Sequence, residues 1–128
     1  MGVKSMRSDF RKVKRHEAKY GALAFFFPPA PDDALVIGKL LDISPHGLAL
    51  QYFARSRPVS LPKRLDVFGV HHPLMHIERI PGEIVYDFEV KSPTRSALKE
   101  RRCGVEFGKL SERQRVLLDE FISSYSAQ

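Results

Sequence analysis

The sequence predicts an all-β fold, a small antiparallel β-barrel with one C-terminal amphipathic helix. Short segments of alternating apolar and polar residues recur along the chain, and turn-forming Pro and Gly residues separate them. A stripe of apolar residues at helical spacing follows the last of these segments. Because closure removes exposed sheet edges, we expect six or seven short strands to form a closed or nearly closed barrel.

The size and composition of the chain fit a single domain. It has 128 residues, of which 43% are hydrophobic. Because it has no apolar run of membrane-spanning length and starts with basic and polar residues, we expect no membrane span and a cytoplasmic location. Cys103 is the single cysteine, so an intramolecular disulfide is excluded, and its neighbours Val105 and Phe107 predict a buried thiol.

The positive charge is concentrated at the start of the chain. The formal net charge is +6, and residues 1–20 hold seven Lys or Arg against two Asp or Glu. A domain that binds a long polyanion usually spreads its charge over one face, so this distribution favours a small anionic ligand captured by an arm. We expect a basic arm over residues 1–14 and one domain over residues 15–128. A solvated basic tail is the alternative at this point.

The first half of the domain is predicted to contain one strand and a hairpin. The strand runs over residues 16–27 and ends at a Pro-rich and Asp-rich connection. A strand over residues 35–42 then leads through the turn Ser44-Pro45-His46-Gly47 into a new alternation. If Leu41 and Ile43 face the core, Asp42 and Ser44 share the outer face.

The second half is predicted to contain four strands and the helix. The strands cover residues 64–70, 75–80, 83–90 and 102–107, with a break at Pro81-Gly82. In the third of these, alternation predicts that Tyr86 faces inward. Ser111 and Gln114 form a capping-box pattern at the start of a helix over residues 111–125. Its apolar stripe consists of Leu117, Leu118, Phe121, Ile122 and Tyr125.

Two short motifs predict a guanine-nucleotide site. Arg11 and Arg15 form an RxxxR pattern, and each guanidinium can bind a phosphate or the O6/N7 edge of guanine in bidentate fashion. Asp42, Ser44 and Gly47 form a DxSxxG pattern. The aspartate can accept from guanine N1–H and the N2 amino group, Ser44 can donate or accept, and Gly47 permits a positive φ.

Each motif also has a plainer interpretation. The DxSxxG pattern is typical of a hairpin turn stabilised by its own Asp or Ser side chain. The pair Arg15 and Lys19 also places two cations four residues apart, but we prefer Arg11 and Arg15 because both are arginines and precede the first strand directly.

The chain resembles the PilZ domain family, the bacterial receptor module for cyclic di-GMP, over roughly residues 10–125. The resemblance depends on the two motifs and on Arg102-Cys103-Gly104-Val105-Glu106-Phe107 before the helix, since family members end with a similar Gly-Val-x-Phe strand. It implies a six-stranded antiparallel β-barrel with a C-terminal helix, no catalysis, and one or two bound cyclic di-GMP molecules. It also implies that Arg11 and Arg15 grip the ligand while Asp42, Ser44 and Gly47 shape the receiving surface. Signalling to a protein partner, in motility, biofilm or exopolysaccharide control, enters through the same resemblance.

The remaining signals are weaker. His71, His72, His76 and Glu78 match no metal-ligand spacing, and no motif of nucleotide hydrolysis, metalloprotease or serine-hydrolase chemistry is present, so we expect neither a metal site nor an enzyme. Most of the run Phe25-Phe26-Phe27 is expected in the core or under the helix. Two alternatives stay open: a basic nucleic-acid-binding β-barrel that uses this run for stacking, and a PilZ-like interaction domain without nucleotide binding.

Overall fold

Seven strands and one helix make up the computed structural model, which describes residues 16–27, 36–54, 64–91 and 97–126. The strands are β1 (His16–Glu17), β2 (Ala22–Phe26), β3 (Val36–Ser44), β4 (Gly47–Ala54), β5 (Arg64–Gly69), β6 (Met75–Glu89) and β7 (Lys99–Phe107), and the helix is α1 (Glu112–Tyr125). The predicted arm over residues 1–14, together with Arg15, lies outside the described residues.

The strands close into an antiparallel barrel. Neighbouring strands follow the order β3-β2-β5-β6-β7-β4, and β4 pairs back with β3. Strand β1 is added beside β3, where His16 pairs with Ile43 and Glu17 with Asp42. The predicted six-stranded antiparallel barrel with a C-terminal helix is thus confirmed.

The predicted first strand is two strands. Gly21 has a φ of 95°, and the chain turns at Lys19–Gly21 between β1 and β2. A Cβ on Gly21 would lie 2.3 Å from Cδ2 of His71, so there is also no room for a side chain at this position. The turn allows β1 to pair with one end of β3 while β2 pairs with the other, at Lys39 and the residues before it.

Strand β6 continues through Pro81-Gly82, where the sequence predicts a break. Pro81 pairs with Arg64 of β5, and Gly82 pairs with Phe107 of β7. The strand therefore changes partners at this point instead of ending. A proline is tolerated here because it lies where one ladder ends and the next begins.

The core fills the barrel and the space under α1. Its largest fully buried side chains include Tyr52, Phe26, Leu40, Ile43, Leu50, Ile77, Ile80, Leu118 and Phe121. The predicted capping box is confirmed, since Gln114 N donates to Ser111 Oγ at 3.0 Å and Ser111 N donates to Gln114 Oε1 at 2.9 Å. Gln114 Nε2 also donates to the carbonyl oxygens of Glu78 and Arg79, which ties the start of the helix to β6.

Cys103 lies inside the barrel, as predicted. Its side chain is fully buried, and burial raises the pKa of the thiol to about 12. Of the three consecutive phenylalanines, only Phe26 is in the core, whereas Phe25 is half-buried and Phe27 is exposed. The expectation that most of this run is core is therefore wrong, because alternation along β2 sends Phe25 and Phe27 to the outer face.

Candidate functional site

The DxSxxG motif occupies the end of β3 and the tight turn into β4. Pro45 and His46 form a two-residue turn between the paired residues Ser44 and Gly47. Ser44 is fully buried, and its Oγ accepts from His46 N at 3.2 Å and donates to Gly47 O at 3.4 Å. Ser44 therefore stabilises the turn with its hydroxyl. Its pairing with Gly47 places it on the same face of the sheet as Asp42, as predicted, but it is buried there.

Gly47 also differs from expectation. Among the described residues, Gly21 is the glycine with positive φ, and Gly47 has none. Proline at the first turn position fixes φ near about −65°, so the turn cannot be of the primed type that requires positive φ. Gly47 instead lies buried opposite Ser44 and Glu106.

A bulge decides which side chains of β3 face outward. The register with β4 shifts between Leu40 and Asp42, so Leu41 is the extra residue. Leu40 and Ile43 are buried, and Leu41 is only half-buried. The inward assignment of Leu41 is therefore wrong. Asp42 does face outward, as predicted, because it pairs with Ala49 and lies on the opposite face from Ile43.

Asp42 belongs to a row of residues that crosses the outer face of four strands. The cross-strand pairs are Asp42 with Ala49, Ala49 with Gly104, and Gly104 with Tyr86. Directly paired residues of an antiparallel sheet point to the same face. Ala49 and Gly104 have the smallest side chains of the row, so it is a shallow floor with a carboxylate at one end and a phenol ring at the other.

Tyr86 points outward, and its predicted inward orientation is wrong. Its side chain is 39% exposed, and its ring centroid lies 5.7 Å from that of Phe88. The register of β6 with β7 shifts between Ile84 and Tyr86, so the alternation does not continue unbroken from Ile84. The bulge turns the aromatic residues of this part of β6 toward solvent.

A second row lies next to the first on the outer face. Lys39 pairs with Gln51, Gln51 with Arg102, and Arg102 with Phe88. Lys39 and Arg102 are exposed cations. The side of the floor nearer the turn carries carboxylates instead, since Glu106 pairs with both Gly47 and Glu83. The outer face is thus polarised, with acceptors at the turn and donors at the second row.

Under the second row, a buried polar cluster fixes the strands from inside. Arg101 Nε donates to Asp87 Oδ1 at 3.0 Å, and Tyr52 Oη donates to Asp87 Oδ2 at 2.7 Å. Burial, followed by the hydrogen bond to Asp87, raises the pKa of Tyr52. Burial alone would lower the pKa of Arg101, but its bond to Asp87 raises it. Tyr52 therefore stays neutral and Arg101 stays charged at neutral pH.

The chain enters the barrel beside Asp42. Glu17 pairs with Asp42 and His16 with Ile43, and Ala18 N donates to Leu41 O at 3.0 Å. Residue 16 directly follows the RxxxR motif in the sequence. The structure therefore brings the two residues that follow the motif, His16 and Glu17, next to Asp42. Arg11 and Arg15 themselves lie outside the described residues.

His71 and His76 take part in hydrogen bonds and ring contacts. His76 Nε2 lies 2.7 Å from Asp66 Oδ2, and the His76 ring stacks on Phe68 with centroids 4.1 Å apart. His71 N donates to the hydroxyl of Tyr125 at 3.1 Å. Within the part of the chain that the structure describes, no group of His, Cys, Asp and Glu side chains is placed to hold a metal ion.

The fold is similar to that of two solved structures. The chain is similar to the PilZ domain of YcgR from Escherichia coli with c-di-GMP, with a TM-score of 0.59, 16% identity and 89% of each chain covered. It is also similar to YcgR from Escherichia coli in complex with c-di-GMP, with a TM-score of 0.61 and 15% identity, covering 89% of this chain and 45% of that chain. The chain thus spans less than half the length of the longer YcgR chain.

No protein-family model matches the sequence. No curated protein matches it either. Across residues 16–27, 36–54, 64–91 and 97–126, no helix is long and apolar enough to cross a membrane. With identities of 15% and 16%, the similarity is one of architecture. The chain therefore has the fold of a PilZ domain.

Proposed function

We propose that the chain is a bacterial, cytoplasmic cyclic di-GMP receptor domain that binds its ligand on the outer face between Asp42 and Tyr86. The carrying observation is the pairing of Glu17 with Asp42, which delivers the chain that follows the RxxxR motif to the strand that bears the DxSxxG motif. The two YcgR structures to which the chain is similar both contain c-di-GMP, which supports the choice of ligand.

Chain geometry supports the participation of both arginines. Arg15 directly precedes His16, and Arg11 is five residues away, so its Cα can lie at most about 17 Å from that of His16. Asp42 directly precedes Ile43, which is the cross-strand partner of His16. An arm of this length can fold back over Asp42, and two guanidinium groups can then bind phosphates or the acceptor edge of a guanine.

The floor between Asp42 and Tyr86 supports a planar ligand. Asp42 would accept from the N1–H and N2 amino group of a guanine, and Tyr86 would stack on a base. The Tyr86 ring lies over Gly104, so a base would stack on the outer side of that ring and not on Gly104 itself. Ser44 and Gly47 would act by fixing the turn that carries Asp42, since Ser44 uses its hydroxyl within the turn.

The body of the domain favours this ligand over a long polyanion. Residues 16–128 hold fifteen Lys or Arg against fourteen Asp or Glu, a net charge of +1. A nucleic-acid surface normally carries a broad excess of positive charge. The outer rings of Phe25, Phe27 and Phe68, with centroid separations of 5.9 and 4.6 Å, do favour the nucleic-acid alternative, but the charge of the body opposes it.

Calorimetric titration with cyclic di-GMP tests the proposal. We expect saturable binding in the wild type, and losses of at least about 1–3 kcal/mol in Arg11→Ala, Arg15→Ala and Asp42→Ala. Arg113→Ala, which removes an exposed cation from α1, serves as the matched control. Undiminished affinity in all three site variants would place the ligand elsewhere, and no binding to the wild type would leave the fold as an interaction domain without nucleotide.

A titration at two salt concentrations separates the two ligand classes. Cyclic di-GMP should be preferred over cyclic di-AMP at both concentrations, because the acceptor and donor edges of guanine are read by Asp42 and the arginines. Oligonucleotide binding would instead weaken steeply with salt and depend little on guanine. Backbone NMR would show whether residues of the arm become ordered on binding, and such ordering would support a switch that a protein partner recognises. The process that this switch controls is proposed from the family resemblance alone.

A further inference from the structure

Strand β7 places one arginine on each face of the barrel wall. Arg101 turns inward to Asp87, whereas its neighbour Arg102 lies on the outer face, 48% exposed at its side chain. Among the described residues, the ion-pair partner of Arg102 is Glu100, with Nε and Oε2 3.6 Å apart. An exposed pair at this distance contributes little, so the guanidinium can exchange that carboxylate for a better anion.

Register fixes where Arg102 lies relative to the proposed ligand surface. It is two residues from Gly104 on the same strand, and its cross-strand partners are Gln51 and Phe88. Two residues along a strand advance about 6.8 Å on one face, and adjacent strands are about 4.8 Å apart. The Cα atoms of Arg102 and Asp42 are therefore separated by one row and two strands, roughly 12 Å on a flat sheet.

This spacing suits the two ends of a nucleotide. The base edge would lie at Asp42, and a phosphate would lie at the second row, beside the exposed guanidinium of Arg102. A base stacked on Tyr86 would direct its sugar and phosphate toward Gln51 or Arg102, because these residues flank the row of Gly104. The carboxylates Glu83 and Glu106 on the opposite side of the floor would repel a phosphate there.

We propose that Arg102 is a phosphate-binding residue of the barrel itself, which holds a phosphodiester group of the bound cyclic dinucleotide. The proposal rests on the proposed function and deepens it. Arginine is suited to the task because its planar fork binds two phosphate oxygens at once. Lys39 lies in the same row but on β3, two strands away, so it contributes to the local field without reaching the same phosphate.

Calorimetry with cyclic di-GMP on four single variants tests this assignment. We expect Arg102→Ala to weaken affinity at least tenfold and Arg102→Lys to weaken it by a smaller factor, because lysine keeps the charge but loses the bidentate contact. Lys39→Ala and Arg113→Ala are the matched controls, since each removes one exposed cation, and each should change affinity less than threefold. Thermal unfolding of Arg102→Ala should match the wild type, because the side chain is exposed.

The outcomes are distinguishable. If the wild type does not bind cyclic di-GMP, the proposed function fails and the role of Arg102 fails with it. If the wild type binds and Arg102→Ala binds equally well, the phosphate lies elsewhere while the proposed function survives. If Lys39→Ala and Arg102→Ala weaken binding by the same factor, the effect is one of overall charge, and the specific contact is refuted.

Discussion

The ring of Tyr86 lies against Gly104 on the neighbouring strand, so closely that a Cβ on Gly104 would be 2.1 Å from Cε2 of the tyrosine. The two residues are cross-strand partners next to the bulge in β6. The absence of a side chain on Gly104 lets the ring settle on the sheet surface. This contact is what converts an outward-pointing tyrosine into one end of the proposed ligand floor.

Gly104→Ala should displace the Tyr86 ring or separate the two strands. Steric overlap of this kind destabilises a domain by about 1–3 kcal/mol. Urea denaturation of the wild type, Gly104→Ala, Tyr86→Ala and the double variant forms a double-mutant cycle. We expect Gly104→Ala to be well tolerated in the Tyr86→Ala background, where the clashing ring is absent. Additive effects would show that the overlap is with the backbone instead.

Tyr86→Ala should weaken cyclic di-GMP binding if the ring stacks on a base. Removing a stacking aromatic side chain costs about 1–3 kcal/mol per base. Tyr86→Phe should retain most of the affinity, because stacking does not require the hydroxyl. Tyr20→Ala is the control, since Tyr20 is exposed in the turn between β1 and β2, beside His71. Equal affinities for Tyr86→Ala and the wild type in calorimetry would remove Tyr86 from the site.

Local signals account for the parts of the fold that the sequence predicts. The turn at Pro45-His46 and the capping box at Ser111 and Gln114 depend on neighbouring residues only, and both are present. The orientation of Tyr86 was mispredicted because the bulge before it exists only in the pairing of β6 with β7. Arg102 was missed for the same reason, since nothing in its own segment indicates which strands lie beside it.

The buried pair of Arg101 and Asp87 should matter strongly for stability. Asp87 accepts from Arg101 Nε at 3.0 Å and from Tyr52 Oη at 2.7 Å, and both donors are almost fully buried. Removing one member of such a pair leaves an uncompensated charge and costs about 3–5 kcal/mol. We expect this loss in Asp87→Ala by chemical denaturation.

Tyr52→Phe is the milder comparison for that cluster. It leaves the charged pair intact and removes one hydrogen bond, so the free energy of unfolding should fall by about 1–3 kcal/mol. If the free energy of unfolding of Asp87→Ala were as high as that of Tyr52→Phe, water would have to replace the lost carboxylate at this end of the barrel.

Cys103 should make the domain less stable in alkaline solution. Burial raises the pKa of its thiol to about 12 in the folded state, against about 8.5 in an unfolded chain. Between these values the unfolded state loses the proton and the folded state keeps it, so the free energy of unfolding falls as pH rises. From pH 8.5 to 10 the contribution of this one group is roughly 2 kcal/mol.

The pH dependence of Cys103→Ala isolates this contribution. Other groups titrate in both proteins, so the quantity to compare is the change in unfolding free energy between about pH 8 and 10 in each. We expect the wild type to lose more stability than Cys103→Ala over this range, whatever their difference at neutral pH. A thiol reagent should correspondingly label Cys103 only after denaturation, because the folded thiol is both inaccessible and protonated. Parallel pH profiles combined with rapid labelling of the native protein would show that the barrel opens at β7 far more often than its buried position implies.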